Sequence, residues 1–306
     1  MNIYILGFRM NPLKNILTIT TVLFFLSLFI IVLTTCYFVY SFNRLSFYEY
    51  DIILNHKMDL KNKENDIIIV GDSAALNGLI PNIIFNRTKL KTSNLALYAN
   101  NGIYSYEILL KNYLKKNGIP KRIILYFSTI SPDNWKLVTY EKSILIFRFA
   151  SLKEKIVYIL KNPYSVIILM NRSVRAILRY LLYSKNHASF TNDILDPLKR
   201  NNGFVKTKEV KKDNICKQII PKFSVKKLKN DIENFKKKFE NLDIDVYVAP
   251  VMECIFKNNV YANLYKGISD NKVYFLNEKY FTDFNHLNLE GAKENSSIFS
   301  EWILNK

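Results

Sequence analysis

From residue 66 onward, short apolar runs alternate with longer amphipathic ones. Residues 66–71 (DIIIVG), 122–128 (RIILYFS), 244–250 (IDVYVAP) and 272–276 (KVYFL) are brief, mostly apolar and rich in β-branched or aromatic residues. Residues 92–97 form a weaker run of the same kind. Near-continuous apolar character over so few residues predicts parallel strands covered on both faces. Helical periodicity fills the intervals at 80–87, 104–116, 225–241 and 289–304. The alternation predicts an α/β three-layer sandwich on a five-stranded parallel sheet. In such sheets sites form at the carboxyl ends of the strands.

Two stretches break this pattern. Residues 16–40 run for 25 positions without a charge. A helix of that length spans a hydrocarbon core of roughly 30 Å. It is longer than the apolar region of a cleaved signal peptide, and no small-x-small cleavage site follows it. Expected are a stub at 1–15 that stays inside, an uncleaved single-pass anchor at 16–40, a linker at 41–65 and an exported domain at 66–306. The second stretch is a basic insertion at about 135–240. From Lys136 to Glu240 there are 24 Lys and Arg against 9 Asp and Glu, so +15 of the net +18 resides there. Its first half, 141–183, is apolar and basic together. Arg172, Arg175 and Arg179 recur at helical spacing, which argues against a second span. One reading is an amphipathic helical insertion lying on the membrane or lidding the site; the other is an ordinary solvated helix face.

With 49% hydrophobic residues the chain is not predominantly disordered. The positive charge suits an anionic neighbour, a polymer or a lipid headgroup. No nucleic-acid-binding pattern accompanies it, so no nucleic-acid partner is expected. Three cysteines and three histidines leave little room for a disulfide framework or a His-rich metal centre. If exported, Cys216 and Cys254 could be bridged; two unpaired buried cysteines fit equally well. No phosphate loop, dinucleotide fingerprint or zinc-protease motif is present, and neither metal nor organic cofactor is expected.

Chemistry concentrates at two places. The first strand ends in Gly71-Asp72-Ser73, which sets a serine hydroxyl at the head of a helix, beside free N–H groups. Before the last helix stands Asp283-Phe284-Asn285-His286, where the aspartate can orient the imidazole as a general base. Each half alone is a weak signal, since a serine or aspartate before a helix is more often a cap. Together they belong at one edge of the sheet.

In that order and spacing the chain resembles the SGNH/GDSL hydrolase superfamily. A glycine block, 94–102 (NLALYANNG), follows the second strand. The resemblance implies a flavodoxin-like sheet, Ser73 as nucleophile, His286 as base and Asp283 as its orienting acid. It also implies an oxyanion hole from the backbone N–H groups of Ser73 and Gly102. The third family block, G-x-N-D, is absent; the third strand continues into YFSTISPDN, where Asn134 could supply the amide from a shifted position. A membrane anchor with no third block is similar to the DltD-type and alginate-acetylation-type branch, whose members act beside membrane-bound O-acyltransferases. The segment 201–204 (NNGF) is similar to that branch as well. The expected function is that of an exported, membrane-anchored serine esterase or O-acyltransferase. Its substrate would be a cell-envelope glycan or acyl lipid carrying acyl groups, acetyl above all. The rival is a non-catalytic accessory subunit of a membrane-bound O-acyltransferase, with a vestigial triad.

Overall fold

The computed structural model describes residues 4–5, 8–9, 16–27, 29–30, 48–98, 102–128, 138–207, 225–254, 268–283 and 285–306. Four strands form a parallel sheet: β1 (Ile67–Gly71), β2 (Thr92–Asn94), β3 (Arg122–Phe127) and β4 (Ile244–Val248), in the order β2-β1-β3-β4. Side chains alternate across each strand, so one run feeds two cores. Ile68, Val70, Leu125 and Val246 face α4 (Ile103–Lys116) and α8 (Val225–Lys238), which close over them with Tyr106, Leu110 and Phe235. Ile67, Ile69, Tyr126 and Tyr247 face the opposite layer of α2 (Ser73–Gly78), α3 (Pro81–Thr88) and α9 (Leu289–Leu304). The fold is therefore α/β, with helices on both faces of the sheet.

The predicted fifth strand is not part of this sheet. Only β6 (Phe275–Leu276) is extended, and it pairs in parallel with β5 (Val251–Met252), beyond Pro250. The physical reason lies along β4. Asp270 Oδ2 accepts from Val246 N at 2.7 Å and Asn271 Oδ1 from Val248 N at 2.8 Å. Asp270 N and Asn271 Nδ2 return bonds to the carbonyls of Val246 and Val248. These groups satisfy the strand edge without a continuous partner.

The stretch read as a linker contains α1 (Glu49–Met58), which buries Ile53, Leu54 and Met58. It packs into a third core with α5 (Tyr140–Phe149), α6 (Leu152–Lys161) and α7 (Tyr164–Arg200). The turn into α6 is fixed by a capping box, Ser151 with Glu154. α8 lies within the range read as the insertion, yet it covers the sheet like any crossover helix.

Of the arginine face of α7, Arg175 and Arg179 are exposed, as the solvated reading expects, and Arg172 is half-buried. Arg172 stacks on Tyr48 at 3.8 Å and reaches Tyr140 at 5.1 Å, while Arg179 lies 5.0 Å from the Tyr48 ring. These guanidiniums gain more from the aromatic faces than a bare periodicity count reveals. The helix turns apolar residues outward as well: Tyr164, Ile167, Met170, Val174, Leu178 and Leu181 are all exposed.

Of the uncharged run, residues 16–27 and 29–30 are helical and exposed; 28 and 31–40 lie outside the described residues. Among the described residues no helix is long and apolar enough to cross a membrane.

A cavity of about 710 Å3 opens beside the edge strand β2, walled by α1, the following loop, α3 and the end of α7. His56 on its rim is held at a pKa of about 4, below the ordinary 6.5, by burial and then by Lys57 and Lys199, with Asp59 opposing and Lys63 adding the least. Between those two values the unfolded chain binds the extra proton. The stabilisation is thus full above pH 6.5 and lost as pH falls toward 4. Urea midpoints measured across that window should fall in the parent protein, and His56→Gln should flatten the fall. An equal slope in both proteins would show that His56 does not cause it.

Candidate active site

The first half of the site is built by the close approach of β1 and β3. Gly71 faces Tyr126 across the ladder. A Cβ on Gly71 would stand 2.5 Å from the Tyr126 carbonyl oxygen, so only glycine lets the strands pair here and the chain turn immediately afterward. Asp72 then caps α2, accepting from Ala74 N at 3.0 Å. Its second oxygen accepts from Ser128 Oγ at 2.8 Å, at the end of β3. Burial raises the Asp72 carboxyl above the ordinary carboxylate range, although Ser128, the Ala74 N–H and the nearby His286 oppose it. Ser73 is thereby fixed as the first residue of α2, at the carboxyl edge of the sheet.

The second half is a tight loop. Asp283 Oδ1 accepts from the backbone N–H groups of Asn285 and His286, at 2.8 and 2.9 Å. Thr282 N donates to the His286 carbonyl at 2.8 Å, and Phe281 bridges Leu287. The ring follows from this folding. His286 Nδ1 lies 2.8 Å from Asp283 Oδ2, and His286 Nε2 lies 2.7 Å from Ser73 Oγ. Burial pulls the Asp283 carboxyl upward, but the imidazole and the two backbone donors outweigh it and hold it below its usual range. An ionised Asp283 requires the proton on Nδ1, which leaves the Nε2 lone pair to accept from the serine hydroxyl. The His286 side chain is 25% exposed and that of Asp283 21%, so the site opens to solvent.

Three predicted residues, Ser73, His286 and Asp283, thus meet at hydrogen-bonding distance. The Ser73 N–H has no hydrogen bond among the described residues, as an oxyanion donor requires. Gly102 is buried with φ 74°, directly before α4 at the same carboxyl edge; residues 99–101 lie outside the described residues. Asn134 also lies outside them. Among the described residues no group of His, Cys, Asp and Glu could hold a metal.

Sequence reasoning missed what registers the two halves. Asn295, wholly buried on α9, donates to the Gly78 carbonyl at 2.8 Å and to Tyr126 Oη at 3.0 Å, and accepts from Tyr247 Oη at 3.2 Å. Ser296 Oγ accepts from Ile80 N at 2.8 Å. These bonds tie the helix behind His286 to the segment that follows Ser73. The signal was present: Asn295 and Ser296 share the helix face of Ala292, Phe299 and Ile303, and polar groups on a buried face need partners.

A strap crosses the same edge. Asn202 O accepts from Asn94 N at 3.0 Å, Val205 N donates to the Leu76 carbonyl at 3.2 Å, and Thr207 Oγ1 donates to the Leu287 carbonyl at 3.0 Å. It runs from β2 past the serine helix to the histidine loop.

No family model matches this chain, and no curated protein or solved structure matches it either.

Proposed function

We propose that the chain is a membrane-anchored serine hydrolase of SGNH type, an esterase or O-acyltransferase for acyl esters, chiefly acetyl, on a cell-envelope glycan. The observation that carries this reading is the unbroken line of bonds from Asp283 through His286 to Ser73. In the reaction Ser73 Oγ attacks the ester carbonyl while His286 Nε2 takes the hydroxyl proton. The imidazolium, stabilised by Asp283, returns that proton to the departing alkoxide, which leaves an acyl-Ser73. Water or a sugar hydroxyl then attacks the acyl carbon while His286 accepts its proton, and the imidazolium returns that proton to Ser73 Oγ as the acyl–Ser73 bond breaks, freeing the acid or the new ester. The Ser73 N–H is placed to stabilise the oxyanion of both tetrahedral species.

Two features support the exported, membrane-bound setting. Cys254 is disulfide-bonded, which suits an oxidising compartment. The outward apolar face of α7 suits a protein held against lipid.

A membrane-impermeant fluorophosphonate tests nucleophile and topology at once. Intact cells should be labelled on Ser73, cells carrying Ser73→Ala should not, and their envelope glycan should lose acetyl groups. Labelling only after lysis would reverse the topology. A Ser73→Ala protein that reaches the membrane and sustains full glycan acylation would leave the accessory-subunit reading in place of this one.

A further inference from the structure

The cavity beside β2 is separate from the serine site, since neither Ser73, Asp283 nor His286 lines it. Its wall carries Lys57, Lys63, Lys91 and Lys199 together with His56, against one carboxylate, Glu64. None of the four lysines is in an ion pair among the described residues. They come from four places: α1, the loop after it, the entry to β2 and the end of α7. A surface run of lysines can splay into water, but cations converging on one concavity repel one another there.

Lys57 adds a built element. It is 2% exposed, and its Nζ donates to the buried Ala96 carbonyl. That is one acceptor for an ammonium with three donors. Burial holds its pKa well below the ordinary lysine value, and an anion beside it would favour the charged form. Amides share the wall with these cations: Asn62, Asn65, Asn82 and Asn202. Asn65 Nδ2 donates to Tyr113, Asn82 Nδ2 to the Arg200 carbonyl and Asn202 Nδ2 to Asn82 Oδ1, and the bonding positions that remain on each amide are of the kind that bond sugar hydroxyls. The volume, about 710 Å3, lies in the range of small-ligand sites and exceeds what a lone inorganic ion needs.

We propose that this cavity binds an oxyanion, phosphate or carboxylate, borne on a polyhydroxylated chain. The inference does not depend on Ser73 being a nucleophile. On the esterase reading, it gives the enzyme a second grip on an anionic polymer.

The test is calorimetric titration of the full chain in nanodiscs, at about 0.15 M salt so that diffuse attraction is screened. The probes are sn-glycerol 3-phosphate and glucuronate, with glucose as the uncharged control. At least one anion should bind, glucose should not, and the tighter anion identifies whether phosphate or carboxylate is the natural group. Lys91→Gln with Lys199→Gln should weaken binding by about tenfold or more, because charge-assisted bonds are lost. Lys226→Gln with Lys229→Gln, on the exposed side of α8, should leave it unchanged. Circular dichroism and thermal midpoints establish that each variant is folded. No binding by either anion, equal binding of glucose, or the same loss in both lysine pairs would overturn the proposal. Should the Lys91 and Lys199 pair prove unstable, Lys63→Gln replaces it under the same criteria.

Discussion

Hydrolysis of an activated acetyl ester should fall by about 10⁴ or more in kcat for Ser73→Ala and for His286→Ala. The double variant should be no worse than either, because the members of a triad act as one unit. Asp283→Asn is the more informative change. The Asp283 carboxylate accepts from two backbone N–H groups as well as from the ring. An asparagine can keep the backbone bonds with its carbonyl oxygen, but its NH2 then faces Nδ1. That arrangement forces the proton onto Nε2, where it can no longer take one from Ser73, and a loss of about 10⁴ in kcat is expected with little change in melting temperature. Retention of more than about a tenth of the parent rate would show that His286 is not the base in the sense of this triad. Turnover of small esters should be slow even in the parent, since the third family block is absent from the sequence and loss of one oxyanion donor typically costs about 10²–10³.

Gly203→Ala should be the most damaging substitution by a single methyl group in the strap. Gly203 has φ 96°, and a Cβ there would lie 2.1 Å from the Asn94 carbonyl oxygen, which is backbone and cannot swing away. Backbone strain of about 1–3 kcal/mol adds to a steric cost of similar size. For a domain of this size the melting temperature should drop by roughly 5–15 °C. Gly118→Ala is the control, because nothing lies within 4 Å of its Cβ position and it should melt within about 2 °C of the parent. Equal midpoints for the two variants would mean that the strap is not held against β2 in solution.

Strands β1, β3 and β4 were legible because each is mainly apolar on both faces; β2, Thr92-Ser93-Asn94, is polar, and only the apolar residues after it made that run readable at all. The serine and histidine motifs were legible because each is local in sequence and the topology places both at one edge. The rest depends on contacts between distant positions. The run at 272–276 reads as a full strand, and only the bonds of Asp270 and Asn271 to β4 show why most of it is not. α1 carries Glu49, Asp51, His56 and Lys57 among its ten residues, which conceals a buried face. Asp51 is tolerated there because Tyr140 Oη donates to it at 2.7 Å, from a residue 89 positions away. Arg172 and Arg179 of α7 lie against Tyr48, a partner that no periodicity identifies.

A parallel sheet this small has two open margins, and each is an invitation to add a strand from a neighbouring molecule. Among the described residues both margins are partly capped. On one side the strap brings Asn202 against Asn94; on the other, two side chains answer the amides of β4 in alternation. Both closures come from short polar segments rather than strands, so they stop the ladder instead of extending it. Copies of this chain crowded together therefore have little backbone with which to zip into a shared sheet, and the insertion contributes to keeping them apart as well as to framing the serine.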